Sequence, residues 1–315
     1  MKRLLGLLVV AVSLFSACEP IEPGGGGGGP VGDGTFTKGF VYVRSDNNIY
    51  AADSADYQTT IQLTTNGNNK HPSLSANGKT VVFVHTDGQL TSLMTVPAAS
   101  GQSTSTLLNS DSTKKNFSNP VFSPDGAKIA FKYENGATSF IGLMNSDGSG
   151  FQALTPSTLS FGAPAFFPDG SAIIAPAGNS TSTYDQIQKV SLTGNTSTVL
   201  SSLGSEALNI VNRIVVAPNA TQAAFDARVS SGSNRIFIVS LNAGVGGTVR
   251  QLTDHPGEPG ANDSFPTFTS NTEVGFSSDT GGADQVYTAQ TSGTKVGGTL
   301  TVPSALQPWF GPVGQ

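Results

Sequence analysis

A single cysteine in 315 residues excludes a disulfide framework, a thiolate zinc site and an iron–sulfur cluster. Three histidines, widely spaced, leave little material for a His-rich metal centre. Charged residues make up only 12%, against about 25% in ordinary globular domains. The net charge is −5, and no clustered Lys and Arg offer a nucleic-acid footprint. No long amphipathic helical pattern is visible, and no Gly-x-Ser-x-Gly nucleophile elbow sits between a strand and a helix. The apolar run from Leu4 to Leu14 is too short for a bilayer core, which takes roughly 20 helical residues. What is plentiful is Gly (38) and Pro (18), beside a hydrophobic fraction of 37% that suffices for a core. That combination suits short strands joined by turns.

The start of the chain reads as an export signal. Lys2 and Arg3 form a positive segment before the apolar run, which has the proportions of a secretory h-region. Phe15-Ser16-Ala17 then leads into Cys18, the only cysteine. This resembles the bacterial lipobox, which implies cleavage of residues 1–17 as a lipoprotein signal peptide and a diacylglycerol on Cys18. The family's usual Leu three residues before the cysteine is Phe15 here, with Leu14 one step earlier. The alternative is an ordinary signal peptide cut after Ala17. Glu19 rather than Asp follows the cysteine, so the best-known inner-membrane retention signal is missing and an outer-membrane lipoprotein is expected, periplasmic or surface-exposed. Residues 18–34 hold Pro20, Pro23, six consecutive glycines, Pro30, Gly32 and Gly34, too little side chain to offset the entropy of ordering. They read as a tether with an end-to-end distance on the order of 20–25 Å.

Residues 35–315 are repetitive. The clearest unit is Asn119-Pro120-Val121-Phe122-Ser123-Pro124-Asp125-Gly126, then Lys128-Ile129-Ala130-Phe131, Phe140-Ile141-Gly142-Leu143-Met144, Asp147-Gly148 and Ala153-Leu154-Thr155. Four apolar runs separated by Gly, Asp and Asn turns make a four-stranded antiparallel meander, strands A to D. In the A–B turn Pro presets φ and Gly accepts φ > 0. The A strand recurs at Pro72, Pro164, Ile214 and Pro266, near the ~40–45 residue period of a propeller blade once loop insertions are counted. Near the start, Phe40-Val41-Tyr42, Ile49-Tyr50-Ala51-Ala52 and Gln62-Leu63-Thr64 supply B, C and D strands with no A strand before them. Gln307-Pro308-Trp309-Phe310-Gly311-Pro312-Val313-Gly314 supplies an A strand with no B strand after it. The expectation is an all-β, six-bladed β-propeller whose first blade is closed by the C-terminal strand, which removes exposed sheet edges.

These units resemble the PD40 (WD40-like) repeats of TolB-type propellers over about residues 36–314. The resemblance implies the fold and a partner-binding role, since such propellers bind peptidoglycan-associated lipoproteins across one face. TolB itself is a soluble periplasmic protein with an α/β domain where this chain has a lipobox and tether, so the Tol-system role does not transfer with the fold. Propellers of this repeat family also cap prolyl-oligopeptidase-like peptidases, whose hydrolase domain this sequence does not contain. Related sugar lyases use several His and a metal. Here His71 precedes the A-strand Pro, His85 sits at a B–C loop and His255 in a D–A connection, and all three read as structural or merely exposed. His71 with Asp254 or Asp263 is the one metal-like grouping to check. No metal or cofactor is assigned. The Asp-Gly pairs at Asp87, Asp125, Asp147 and Asp169 read as tight turns rather than calcium loops. Trp309, the only tryptophan, reads as a core plug.

Partner residues are expected on the longer D–A and B–C loops. Lys114, Lys115 and Phe117 form the strongest local composition there, with Tyr133, Glu134, Tyr184 and Arg228 rimming the same face and His71, Asp254, His255 and Asp263 completing the candidate set. The function expected is a monomeric, non-catalytic scaffold, held to the membrane through its N-terminal lipid alone and binding an envelope protein or cell-wall component. The alternative is a polysaccharide lyase or hydrolase working at the channel mouth.

Overall fold

The computed structural model describes residues 36, 38–57, 59–194, 196–204, 207–241, 247–293 and 297–311. The signal peptide, Cys18 and the tether lie outside the described residues. Among the described residues no helix is long and apolar enough to cross a membrane.

Six antiparallel sheets follow one another along the chain, each a blade of strands A to D. Blade 3 is representative: Lys115–Phe122, Lys128–Asn135, Thr138–Asn145 and Gln152–Ala153 pair in that order. Blade 4 departs from the pattern, its innermost strand being split into Ser160–Phe161 and Ala165–Phe166 on either side of Pro164. In blade 1 the innermost strand is the C-terminal Leu306–Gly311, paired with Gly39–Val43 through Gly39↔Gly311, Phe40↔Phe310 and Val41↔Trp309. Ring closure therefore occurs where the unmatched strands at the two ends of the sequence require it.

The B strands explain why blades can stack. Val81-Val82-Phe83, Ile129-Ala130-Phe131 and Ala223-Ala224-Phe225 are all fully buried, apolar on both faces because each blade is covered by a neighbour on either side. Six apolar clusters result, one at each blade-to-blade interface. Close approach decides one glycine: a Cβ on Gly275 would sit 2.8 Å from the Phe40 ring, so blade 6 meets blade 1 only with that position bare.

Two small devices repeat. The A–B turns close with Gly78, Gly126 and Gly170 at φ 71°, 71° and 68°, and the side chains of Asn77, Asp125 and Asp169 accept from the backbone N–H two residues on. The Asp-Gly carboxylates at Asp125 and Asp169 thus serve their own turns. At the ends of three D strands Thr64, Thr155 and Thr253 are buried, and each Oγ1 accepts from a C-strand N–H, of Ile49, Ile141 and Ile236 respectively. These hydroxyls satisfy backbone donors that the shorter D strand leaves open.

Phe310 carries the closure, being 4% exposed and packed edge-on to Phe40 at 4.9 Å between centroids. Phe310→Ala is expected to lower unfolding free energy by about 3–5 kcal/mol, read from urea denaturation; a loss under about 1 kcal/mol would mean that the closing strand contributes little.

Candidate functional site

Every innermost strand is interrupted, that of blade 3 at two places. Register breaks fall between Lys70 and Ser73, Ser118 and Val121, Ile210 and Ile214, and Ser264 and Thr267. The residue before the proline takes a left-handed conformation: φ is 53° at His71, 48° at Asn119, 54° at Phe265 and 51° at Gln307. Proline has no N–H to lose from the ladder, so a bulge is least costly there. Its effect is to bring side chains from different blades together around the axis. The His71 N–H donates to Gln307 Oε1 at 2.7 Å, and the His71 ring lies 5.9 Å from that of Phe265. Arg213, in the equivalent place in blade 5, donates from Nη1 to the Pro308 carbonyl at 2.7 Å. Its guanidinium lies 5.4 Å from the Phe265 ring and 5.2 Å from Trp309. These contacts link the innermost strands of blades 1, 2, 5 and 6 at the level of the bulge.

Charge at this level is held by burial. Desolvation, with the nearby Arg213, Lys70 and Lys132, lowers the His71 pKa to about 3, so the ring is neutral at physiological pH, with Nδ1 shut away and unpartnered. Asp226, fully buried, accepts from the N–H groups of Asn212 and Arg213, yet desolvation dominates and pushes it up to about 6. Desolvation likewise lowers Arg213 to about 10, still protonated at neutral pH.

On the A–B-turn side of this level the channel opens into a cavity of about 400 Å³. All six blades line it through the ends of their innermost strands and the turns that follow, with Leu74, Phe122, Phe166, Val216, Phe268 and Trp309 the large apolar contributors. Trp309 packs against three separate interblade clusters and is also partly exposed in the cavity. It is thus a plug, as expected, and an accessible aromatic surface as well. None of the lining residues titrates. Sequence reading missed this mouth because its residues are the ordinary apolar ends of core strands; the recurring Pro-x-Phe was the signal that six such ends converge.

The loop-face candidates fare differently. Phe117 is 1% exposed, packed edge-on to Phe131 at 5.4 Å, and its N–H donates to Thr91 Oγ1. Tyr133 stacks on Phe140, and the Tyr184 hydroxyl meets Ser139 Oγ at 3.0 Å; both tyrosines are buried. All three aromatics are packed among neighbouring side chains and present little surface on that face. Lys114 pairs with Asp111 and lies over Phe151, whereas Lys115 and Arg228 are exposed.

Asp254, His255 and Asp263 do come together. His255 Nε2 lies 2.9 Å and 3.0 Å from the two carboxylate oxygens of the fully buried Asp263, and Asp254 faces Arg235 Nε at 3.7 Å. Arg235, on the C strand of blade 5, also donates to the Ala261 and Pro259 carbonyls, so the D–A connection is fastened to blade 5 by Arg235 and to blade 6 through the His255–Asp263 contact. His71 is not among these contacts; it lies instead against Gln307 and Phe265. Among the described residues no group of three or more His, Cys, Asp or Glu is placed to hold a metal ion.

The two histidines should act on stability with opposite sign. His71 resists a proton that the unfolded chain takes up below pH ~6.5, so its contribution is full above that pH and drains as pH falls towards 3. Hydrogen bonding to Asp263 raises His255, so its contribution is full below pH ~6.5 and fades as pH rises through the raised value. In urea titrations, His71→Gln should therefore flatten the acid-side decline, and His255→Gln should lower the midpoint more at pH 6 than at pH 9. Variant curves parallel to the parent's would contradict both assignments.

No family model matches the chain, and no curated protein matches it. Solved structures do. TolB from Acinetobacter baumannii superposes with a TM-score of 0.65 at 16% identity, over 87% of this chain and 66% of that one, so this chain spans slightly less than two thirds of that protein. A protein described as a TolB from Agrobacterium tumefaciens gives 0.59 at 18% identity, over 89% of this chain and 100% of that one. Oligogalacturonate lyase from Vibrio parahaemolyticus gives 0.54 at 15%, over 81% and 74%. Likeness at such identities is likeness of fold, and the fold of this chain is the six-bladed propeller of the TolB type.

Proposed function

We propose that this chain is an exported, lipid-anchored envelope protein whose propeller is a non-catalytic binding scaffold, with the apolar channel mouth as its seat for a protein partner. One observation carries the reading: the mouth is assembled from all six blades, and among the described residues that line it there is no acidic, basic, histidine or cysteine side chain. Such a surface gains free energy by burying apolar side chains and offers nothing to move a proton or polarise a bond. Aromatic side chains at the centre of a patch are the usual anchors of protein interfaces. Phe122, Phe166 and Trp309 are partly exposed there and ringed by short turns that hold them still. The likeness to TolB structures supports the same reading at the level of fold. The likeness to an oligogalacturonate lyase supports the enzymatic alternative at that level too, and the chemistry of the mouth favours the scaffold.

The test is capture from detergent-solubilised envelopes of the source bacterium, using the propeller and a Phe122→Asp/Phe166→Asp variant of it. A partner held by the parent and depleted at least about tenfold on the variant is expected, with unchanged circular dichroism. Equal retention would remove the mouth as the seat, and cleavage of acidic polysaccharide by the parent would overturn the non-catalytic reading.

A further inference from the structure

We propose that the mouth is occupied in the resting protein by the chain's own N-terminal segment, Pro20-Ile21-Glu22-Pro23. This rests on the reading of the mouth as a binding seat and adds its regulation: an external partner must displace the tether.

The argument begins where the chain enters the propeller. Phe36 packs in the cluster that contains Leu74, and Leu74 lines the mouth. Lys38 lies over the ring of Phe310, 5.6 Å from its centroid, and Gly39 is paired with Gly311, both Phe310 and Gly311 being lining residues. Phe36, Lys38 and Gly39 therefore put the start of the described chain on the A–B-turn face, near the lining residues Leu74, Phe310 and Gly311.

The preceding sequence suits such a site. Between Cys18 and Phe36 the largest apolar side chain is Ile21, set between Pro20 and Pro23 with Glu22. Two prolines at that spacing favour the polyproline II conformation, whose ordering is largely prepaid. Segments of this kind dock into grooves lined by aromatic side chains, and this mouth presents Phe122, Phe166 and Trp309, each partly exposed. The twelve residues from Gly24 to Thr35, six of them consecutive glycines, join the segment to Phe36. A linker of that length spans about 17–21 Å on average, and a short flexible linker gives an effective concentration in the millimolar range. Weak intrinsic affinity is then enough for occupancy, and a partner of higher affinity still competes.

The chain carries its own probes, one cysteine at Cys18 and one tryptophan at Trp309. The experiment labels Cys18 of the unlipidated chain 18–315 with a dansyl-type acceptor and reads energy transfer from Trp309. Docking puts Cys18 within about 10 Å of Ile21, hence close to Trp309, whereas a free tether leaves it about 21–25 Å from Phe36 on average. Transfer should be high in the parent and fall at least about twofold in Ile21→Asp and in Pro20→Gly/Pro23→Gly, with unchanged circular dichroism. Equal transfer in parent and variants overturns the proposal. In a second arm the synthetic peptide Ser-Glu-Pro-Ile-Glu-Pro-Gly is titrated against chain 36–315, with Trp309 emission as the readout. A shift here, with flat transfer in the first arm, would leave the mouth a binding seat and reject self-occupancy. No shift here and flat transfer would reject self-occupancy, leaving the partner-binding reading to stand or fall on the envelope capture alone.

Discussion

Everything in this molecule depends on the pairing of Leu306–Gly311 with Gly39–Val43. Without it blade 1 has three strands and an open edge, and the cluster shared with blade 6 loses Phe310. The constraint is non-local in the extreme, since it joins the two ends of the described chain. It fixes more than stability. The same strand carries Trp309 into contact with three interblade clusters, offers the Pro308 carbonyl to Arg213, and brings Gly311 to the rim where the chain first enters.

The proline bulge then divides the channel into two chemical environments. At the level of the bulge stand neutral His71, charged Arg213 and the amide of Gln307, with Asp226 buried behind Arg213. Beyond it, towards the A–B turns, the described lining residues are mainly apolar, with Ser75, Ser123 and Thr267 among them, and none of them titrates. A polar layer over a mainly apolar cup favours a ligand that buries hydrophobic surface without entering deeply. The proposal of a partner seat in the cup, rather than on the longer loops, rests on that asymmetry.

The repeat was plainly legible: Pro-x-Phe, the Asp-Gly turn and the Leu-Thr ends of the D strands each have a structural duty, and together they announced six blades and the closing strand. The site was not. Phe117, Tyr133 and Tyr184 looked like rim residues because they sit near loops, but each is buried against its neighbours. The mouth stayed hidden for the opposite reason: Leu74, Phe122, Phe166 and Phe268 are what any core strand end contains. Only closure makes a cavity of them. Local sequence specifies strands and turns well, whereas a surface built from six distant strand ends is specified by the ring as a whole.

The central claim is that the C-terminal strand holds the ring shut, and Trp309 reports on that strand directly. Equilibrium unfolding in urea should be followed by Trp309 fluorescence and by far-ultraviolet circular dichroism on the same samples. Coincident transitions are predicted, because the closing strand and the six sheets depend on one another. A fluorescence transition that finishes at lower urea, with the sheet signal intact, would mean that the strand peels away from a ring that stands without it, and would contradict the account.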